Sequence, residues 1–107
     1  MMSNAALLDM VTKRIRAYRA DWKEFQEELA SAGIDYRTTH VAAYPKDLRN
    51  RCIRLEGDRH AVHCLIQVVI SDGDRWADLE DIRAIVNSDT DPRELLAPYL
   101  MPSPAAA

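Results

Sequence analysis

Five side chains of the types that bind zinc lie between positions 40 and 64: His40, Cys52, His60, His63 and Cys64. A structural zinc site takes four such ligands. The residue pattern here predicts strands, and along an extended strand His60 and Cys64 share a face but lie about 13 Å apart. Only Cys52 and His63, with His40 from a neighbouring strand, converge in this interpretation. We therefore predict no bound metal and no cofactor.

The same pair, Cys52 and His63, is the best candidate for a nucleophile and its base, because catalysis needs a thiol beside an imidazole. No third residue to orient the imidazole is identifiable, and neither cysteine is predicted at a helix N-terminus. The chain has no Gly-x-Ser-x-Gly motif, and its three glycines form no phosphate-binding loop. We predict that the protein is not an enzyme. A small-molecule-binding protein or small enzyme with a site near Cys52 and His63 is the alternative.

Three segments that would position these residues have the composition of strands: 36–44, 51–55 and 60–71. Between the last two, Glu56-Gly57-Asp58-Arg59 fits a type II′ hairpin turn, because Gly57 is the first of its two central residues. This register places Cys52 opposite His63. The pattern therefore predicts a three-stranded antiparallel sheet.

A long helix is predicted ahead of the sheet. Its apolar residues are spaced alternately by three and four positions: Leu8, Val11, Ile15, Tyr18, Trp22, Phe25, Leu29 and Ala32. With Gly33 as the residue that ends it, the helix has about 28 residues and a length of about 42 Å. A globule of this chain length has a radius of gyration near 13 Å, so part of the helix should project, bend or meet a partner.

Two shorter helices are predicted after the sheet. The first runs from about residue 76 to about Asn87; Asp91 and Pro92 open the second, and Pro98 should end it near Leu96. The predicted fold is therefore α+β, in the order α-β-β-β-α-α, with the long helix packed on the sheet. Residues 1–100 are expected to form a single domain, with 101–107 a disordered tail.

The composition is that of a globular protein, with 48% hydrophobic and 29% charged residues and a net charge of −3. Two cysteines are too few for a secreted disulfide framework, and no apolar run reaches the length of a membrane span. The N-terminus lacks the order of a signal peptide. We expect a cytoplasmic protein with reduced thiols and no membrane contact. The excess of arginine over lysine and the many alanines suggest a bacterial or phage source with a GC-rich genome.

Six basic residues could contact nucleic acid: Arg37, Lys46, Arg49, Arg51, Arg54 and Arg59. The predicted element order α-β-β-β-α is similar to that of double-stranded-RNA-binding domains. The start of the second predicted helix is acidic, however, where such a domain needs lysines for phosphate contacts. The negative net charge also opposes binding. Nucleic-acid binding through the Arg37 to Arg59 surface is kept as a further alternative.

The long helix has a basic cluster in its first half (Lys13, Arg14, Arg16) and an acidic cluster in its second half (Glu24, Glu27, Glu28), against the preference of its own macrodipole. In an antiparallel pair of such helices Arg14 lies near Glu28 and Ile15 meets Phe25, whereas a parallel pair sets Arg14 against Arg19. We predict a small non-enzymatic regulator, adaptor, chaperone or inhibitor that binds a protein partner or itself as an antiparallel homodimer. The predicted partner-binding residues are Arg14, Ile15, Tyr18, Arg19, Trp22, Phe25 and Glu28.

Overall fold

The computed structural model describes residues 4–72 and 75–100, and in these residues the chain is all helical, with no strand. The elements are four α-helices and one 3₁₀ turn: α1 Asn4–Ser31, the turn Val41–Ala43, α2 Lys46–Asp72, α3 Leu79–Asn87 and α4 Pro92–Leu100. The predicted α+β fold with a three-stranded antiparallel sheet is therefore wrong.

Two of the predicted strands, 51–55 and 60–71, belong to the single helix α2, and the predicted hairpin turn lies inside it. The buried side chains of α2 recur at helical spacing: Leu55, Val62, Ile66, Val69 and Ile70. Ile53 and Val68, two of the β-branched residues whose composition indicated strands, are exposed on the other side of the helix. The third predicted strand, 36–44, is a turn followed by the 3₁₀ turn.

The predicted long helix is confirmed as α1, and Gly33 ends it. Gly33 has a φ of 76°, in the left-handed region that favours glycine. The Gly33 amide donates to the Ala30 carbonyl at 3.0 Å, and the Ile34 amide donates to the Leu29 carbonyl at 2.9 Å. These two bonds form a Schellman motif, and Ile34 packs in the same cluster as Leu29.

Helices α1 and α2 are nearly equal in length, with 28 and 27 residues, and pack as a long hairpin. Two apolar clusters follow each other along it. The first lies between α1, α2, α3 and α4, and the second joins the C-terminal half of α1 to the N-terminal half of α2 and the connecting loop. The molecule measures 55 × 26 × 20 Å. The part of α1 that extends beyond a compact globule is therefore covered mainly by α2.

The two short helices begin at capping aspartates. The Asp78 side chain accepts a hydrogen bond from the Asp81 amide at 2.9 Å, and Asp91, as predicted, caps α4 by accepting from the Arg93 amide at 3.0 Å. The predicted end of α4 near Leu96 is wrong, because the helix continues through Pro98 to Leu100. Tyr99, packed against the first cluster, fixes this last turn. The predicted tail, 101–107, lies outside the described residues.

Candidate interaction surface

The apolar seam of α1 is filled by the chain's own residues. Ile15 and Phe25 have an exposed fraction of 0%, and Tyr18 is also buried. Ile15 and Tyr18 belong to the first cluster, and Phe25 belongs to the second. These three side chains, predicted to meet a partner, therefore support the fold in this structure.

The charges of α1 also find partners within the chain. Arg51 of α2 forms ion pairs with Glu28 and, at 3.5 Å, with Glu24. The hydrogen bond to Glu28 raises the pKa of Arg51. The Arg51 guanidinium also lies 5.7 Å from the centre of the Phe25 ring. The acidic second half of α1 is thus matched by a basic residue of the antiparallel helix α2.

Arg19 joins α1 to the C-terminal end of α3. Its guanidinium donates hydrogen bonds to the backbone carbonyls of Ile85, Val86 (3.0 Å) and Thr90 (2.6 Å). Carbonyls at a helix C-terminus have no partner within the helix, and they carry partial negative charge. Burial lowers the pKa of Arg19. Arg19 is therefore a structural residue that positions α3 on α1.

Replacing Arg19 by Met is expected to lower the free energy of unfolding by about 2 kcal/mol, since it removes three charge-assisted bonds to carbonyls that water can only partly replace. Urea unfolding followed by circular dichroism measures this loss. Lys23→Met, one turn further along α1 at an exposed position, is the matched control and should change stability by less than about 0.5 kcal/mol. Equal effects of the two substitutions would contradict the role of Arg19.

The remaining two predicted binding residues lie at the surface. Trp22 is half-buried. Its ring stacks on the Phe25 ring, with the two ring centroids 5.8 Å apart. It also makes an edge contact with the Tyr36 ring, with the centroids 6.3 Å apart. Arg14 is exposed and lines a shallow depression with Asp58. Trp22 therefore packs against the second cluster, whereas Arg14 belongs to neither cluster.

The pair Cys52 and His63 does not converge. Both residues are on α2, eleven positions apart, and therefore about 16 Å apart along the helix axis. Cys52 packs against the second cluster, and burial raises the pKa of its thiol. Burial, aided by Arg59, lowers the pKa of His63. The prediction that these two side chains meet is wrong, and with it the nucleophile-base pair.

A different pair of the same residue types does form. His60 and Cys64, both exposed and one helical turn apart, place Nε2 and Sγ 3.8 Å from each other. Cys52 and Cys64 are both free thiols. Within residues 4–72 and 75–100, no group of three or more His, Cys, Asp or Glu side chains is placed to hold a metal ion.

A polar groove of about 710 Å³ runs between α1 and α2 beside the end of α3. Tyr18, Arg19, Trp22 and Lys23 line one wall, and Arg59 lies on the other. Neither Cys52 nor His63 lines it. The Arg19 guanidinium is engaged by α3, and Arg59 pairs with Glu56, so two of the three basic residues here already have partners.

The six basic residues between Arg37 and Arg59 do not act as one surface. Arg51 and Arg59 are in ion pairs with acidic residues of the chain, and Arg37 lies over the Tyr36 ring at 5.7 Å. The N-terminal part of α2 carries the other three: Lys46, Arg49 and Arg54. The continuous basic surface that nucleic acid requires is therefore divided.

The side of α2 directly opposite the core carries no charge over more than five helical turns. We call it the neutral face, and its residues are all exposed: Asn50, Ile53, Gly57, His60, Cys64, Val68 and Ser71. Ile53 is 61% exposed and Val68 is 51% exposed. The outer side of α1, by contrast, carries charged residues such as Lys13, Glu24 and Glu27. Contact with water explains the charged residues on the outer side of α1, but it does not explain the absence of charge on the neutral face of α2.

Gly57 at the middle of this face has no structural role in the isolated chain. A Cβ added there meets nothing within 4 Å, and its backbone is helical. Glycine inside a helix costs about 1 kcal/mol relative to alanine. Its advantage is the close approach that a missing side chain permits to another backbone or side chain. Gly57 therefore supports the neutral face as a contact surface.

Comparison with protein-family models, with curated proteins and with solved structures finds no match for this chain. In the part of the chain that the structure describes, none of the helices combines the length and the apolar character that crossing a membrane requires.

Proposed function

We propose that this chain is a small, non-enzymatic, cytoplasmic binding protein of the regulator or adaptor type, and that it works as an antiparallel homodimer through the neutral face of α2. The surface differs from the one that the sequence indicates, because α2 and α3 already occupy the seam of α1. The occupant of the neutral face is a second copy of α2.

Two charged residues along one edge of the neutral face carry the proposal. Arg54 and Asp72 are eighteen positions apart, which is five full helical turns, so both lie on the same side of the face. Among the described residues neither has an ion-pair partner. Asp72 also lies at the negative end of the α2 macrodipole, where an acidic residue is unfavourable. A partner with the opposite charge order would stabilise both ends.

A second α2 in antiparallel orientation has that order. An axis of twofold symmetry close to residue 63 brings Arg54 of each copy near Asp72 of the other, and it makes both ion pairs at once. The same operation packs Val68 of one copy against Gly57 of the other, where no side chain obstructs it. A parallel pair would instead place Arg54 level with Arg54 and Asp72 level with Asp72, and it would form neither ion pair. The charges therefore favour the antiparallel dimer.

Exchanging the two charges tests both the surface and the orientation. Arg54→Glu and Asp72→Arg are each expected to raise the dimer dissociation constant roughly tenfold at low salt, because each creates like-charge contacts at both ends. The double variant should recover most of the loss. Sedimentation velocity over a dilution series measures the dissociation constant, and the difference should shrink as salt is added.

Arg14→Glu is the control, since Arg14 is exposed on α1 and belongs to the surface that the sequence indicates. It should leave the dissociation constant unchanged. A monomer at high micromolar concentration would refute the homodimer. Weakening by Arg14→Glu alone would assign the contact to α1 instead, and absence of rescue in the double variant would exclude the antiparallel arrangement.

A further inference from the structure

His60 and Cys64 have the spacing of two ligands on one zinc ion. Zinc binds cysteine sulfur at about 2.3 Å and histidine nitrogen at about 2.0 Å in a tetrahedron, which sets the two ligand atoms about 3.6 Å apart. The Nε2 and Sγ atoms here are 3.8 Å apart, on consecutive turns of α2. The pair is therefore preorganised for a common ion.

A single chain supplies only half of such a site. No other His, Cys, Asp or Glu in residues 4–72 and 75–100 joins this pair to form a larger group. Both side chains are exposed at the centre of the neutral face, with Ile53 on one side along the helix and Val68 on the other. The two missing ligands must therefore come from whatever covers this face.

The antiparallel homodimer supplies them. The midpoint between His60 and Cys64 is at position 62, and the midpoint between Arg54 and Asp72 is at position 63, a difference of about 1.5 Å along the helix. The axis that pairs the charges therefore also brings His60 of each copy to within two residues, about 3 Å along the helix, of the level of Cys64 of the other. Packed helices approach to about 8 to 10 Å, within reach of the side chains of both copies. Four ligands then surround one point on the axis.

We propose that zinc, or another thiophilic divalent cation, binds at this axis through two Cys64 thiolates and two His60 imidazoles. This inference rests on the proposed homodimer. Each Cys64 thiol gives up its proton to solvent as its sulfur binds the metal, and each His60 binds in its neutral form through Nε2, so two protons leave per zinc and nothing is oxidised or reduced. The site closes with four protein ligands, as a structural zinc site does.

The metal also supplies what the apolar contact lacks. Two single helix faces about 30 Å long bury an area at or below the low end of specific interfaces, about 1,200 Å². Such a contact alone gives a weak dimer. Zinc makes association depend on metal concentration, and the dimer becomes tight only in its presence.

The test uses the full chain, treated with EDTA under reducing conditions and then titrated with zinc chloride or cobalt chloride. We expect one metal ion per two chains, and a dimer dissociation constant at least a hundredfold lower in saturating zinc than in EDTA. Cobalt should give the intense visible bands of tetrahedral coordination together with thiolate charge transfer. Cys64→Ser and His60→Ala should each abolish the bands and the effect of zinc, while circular dichroism stays unchanged because both residues are exposed.

Cys52→Ser is the matched control, because it removes the other thiol of α2 and should keep both the bands and the response to zinc. A dimer of equal affinity in EDTA and in zinc would overturn the metal site and leave the proposed function standing. Binding of one ion per chain without dimerisation, or a signal that survives Cys64→Ser, would also overturn it. A monomer under every condition would refute the metal site and the homodimer together.

Discussion

Replacing Ile15 by Asp is expected to unfold the protein, whereas the same replacement at Ile53 leaves it folded. Ile15 is fully buried in the first cluster, so the substitution removes an apolar side chain and places an unpaired carboxylate in its position. Loss of a buried isoleucine alone costs about 2 to 5 kcal/mol, and an unpaired buried charge costs several more. The sum approaches the whole stability of a small domain, about 5 to 15 kcal/mol.

Ile53 provides a control of the same residue type, on a helix of nearly the same length, with 61% of its surface exposed. Ile53→Asp should change the free energy of unfolding by no more than about 1 kcal/mol. Far-ultraviolet circular dichroism and urea unfolding at low protein concentration distinguish the two variants. A folded Ile15→Asp protein that is simply monomeric would instead restore the seam of α1 as an intermolecular surface.

A helix of this chain can be predicted from the sequence when it is apolar on one side and polar on the others. Helix α1 has one apolar seam and a charged outer side, so its spacing of three and four residues is unambiguous. Its end at Gly33 and the start of α4 at Asp91 are likewise set by local chemistry, a left-handed glycine and a capping carboxylate. Helix α1, its end and the start of α4 were therefore predicted correctly.

Helix α2 was predicted wrongly because it is apolar on two sides. Val62, Ile66 and Ile70 face the core, while Cys64 and Val68 lie on the neutral face. Along the sequence these five residues occupy every second position, with Leu65, Gln67 and Val69 among the residues between them. This spacing resembles the period of two in a strand. The residues that made the sequence of α2 resemble strands are therefore the residues of the candidate interaction surface. A second series of residues has the helical spacing of four and three, and this spacing is the feature of the sequence that indicates a helix here. Its members are Ile53, Gly57, His60, Cys64, Gln67 and Ser71.

The charge order of α1 was informative in a different way. It indicated an antiparallel helical neighbour of complementary charge, and α2 of the same chain is such a neighbour through Arg51. A sequence cannot say whether such a neighbour is intramolecular, because the electrostatics of the two arrangements are the same. Arg54 and Asp72 show the same order of a basic and then an acidic residue on the exposed side of α2, where no other helix of the described chain covers them.

The largest effect on association is expected from Ile53→Asp. In the antiparallel dimer each copy of Ile53 lies beside Ser71 of the opposite chain. Burial of an isoleucine is worth about 1.5 to 3 kcal/mol, and both copies are lost together. A dissociation constant raised at least a hundredfold, about 2.7 kcal/mol, is therefore expected by sedimentation velocity in EDTA and in zinc.

Ala84→Asp, on the exposed side of α3, adds the same charge away from the neutral face and should leave the dissociation constant unchanged. Comparison of the two variants separates a specific contact from general repulsion between acidic chains. If Ile53→Asp dimerises as well as the unmodified protein, α2 does not form the interface, whatever Arg54 and Asp72 show. If it is a folded monomer that no longer responds to zinc, then the apolar contact and the His60 and Cys64 site act in one interface. Each half of the face then requires the other, because zinc can only join chains that the apolar contact has already aligned.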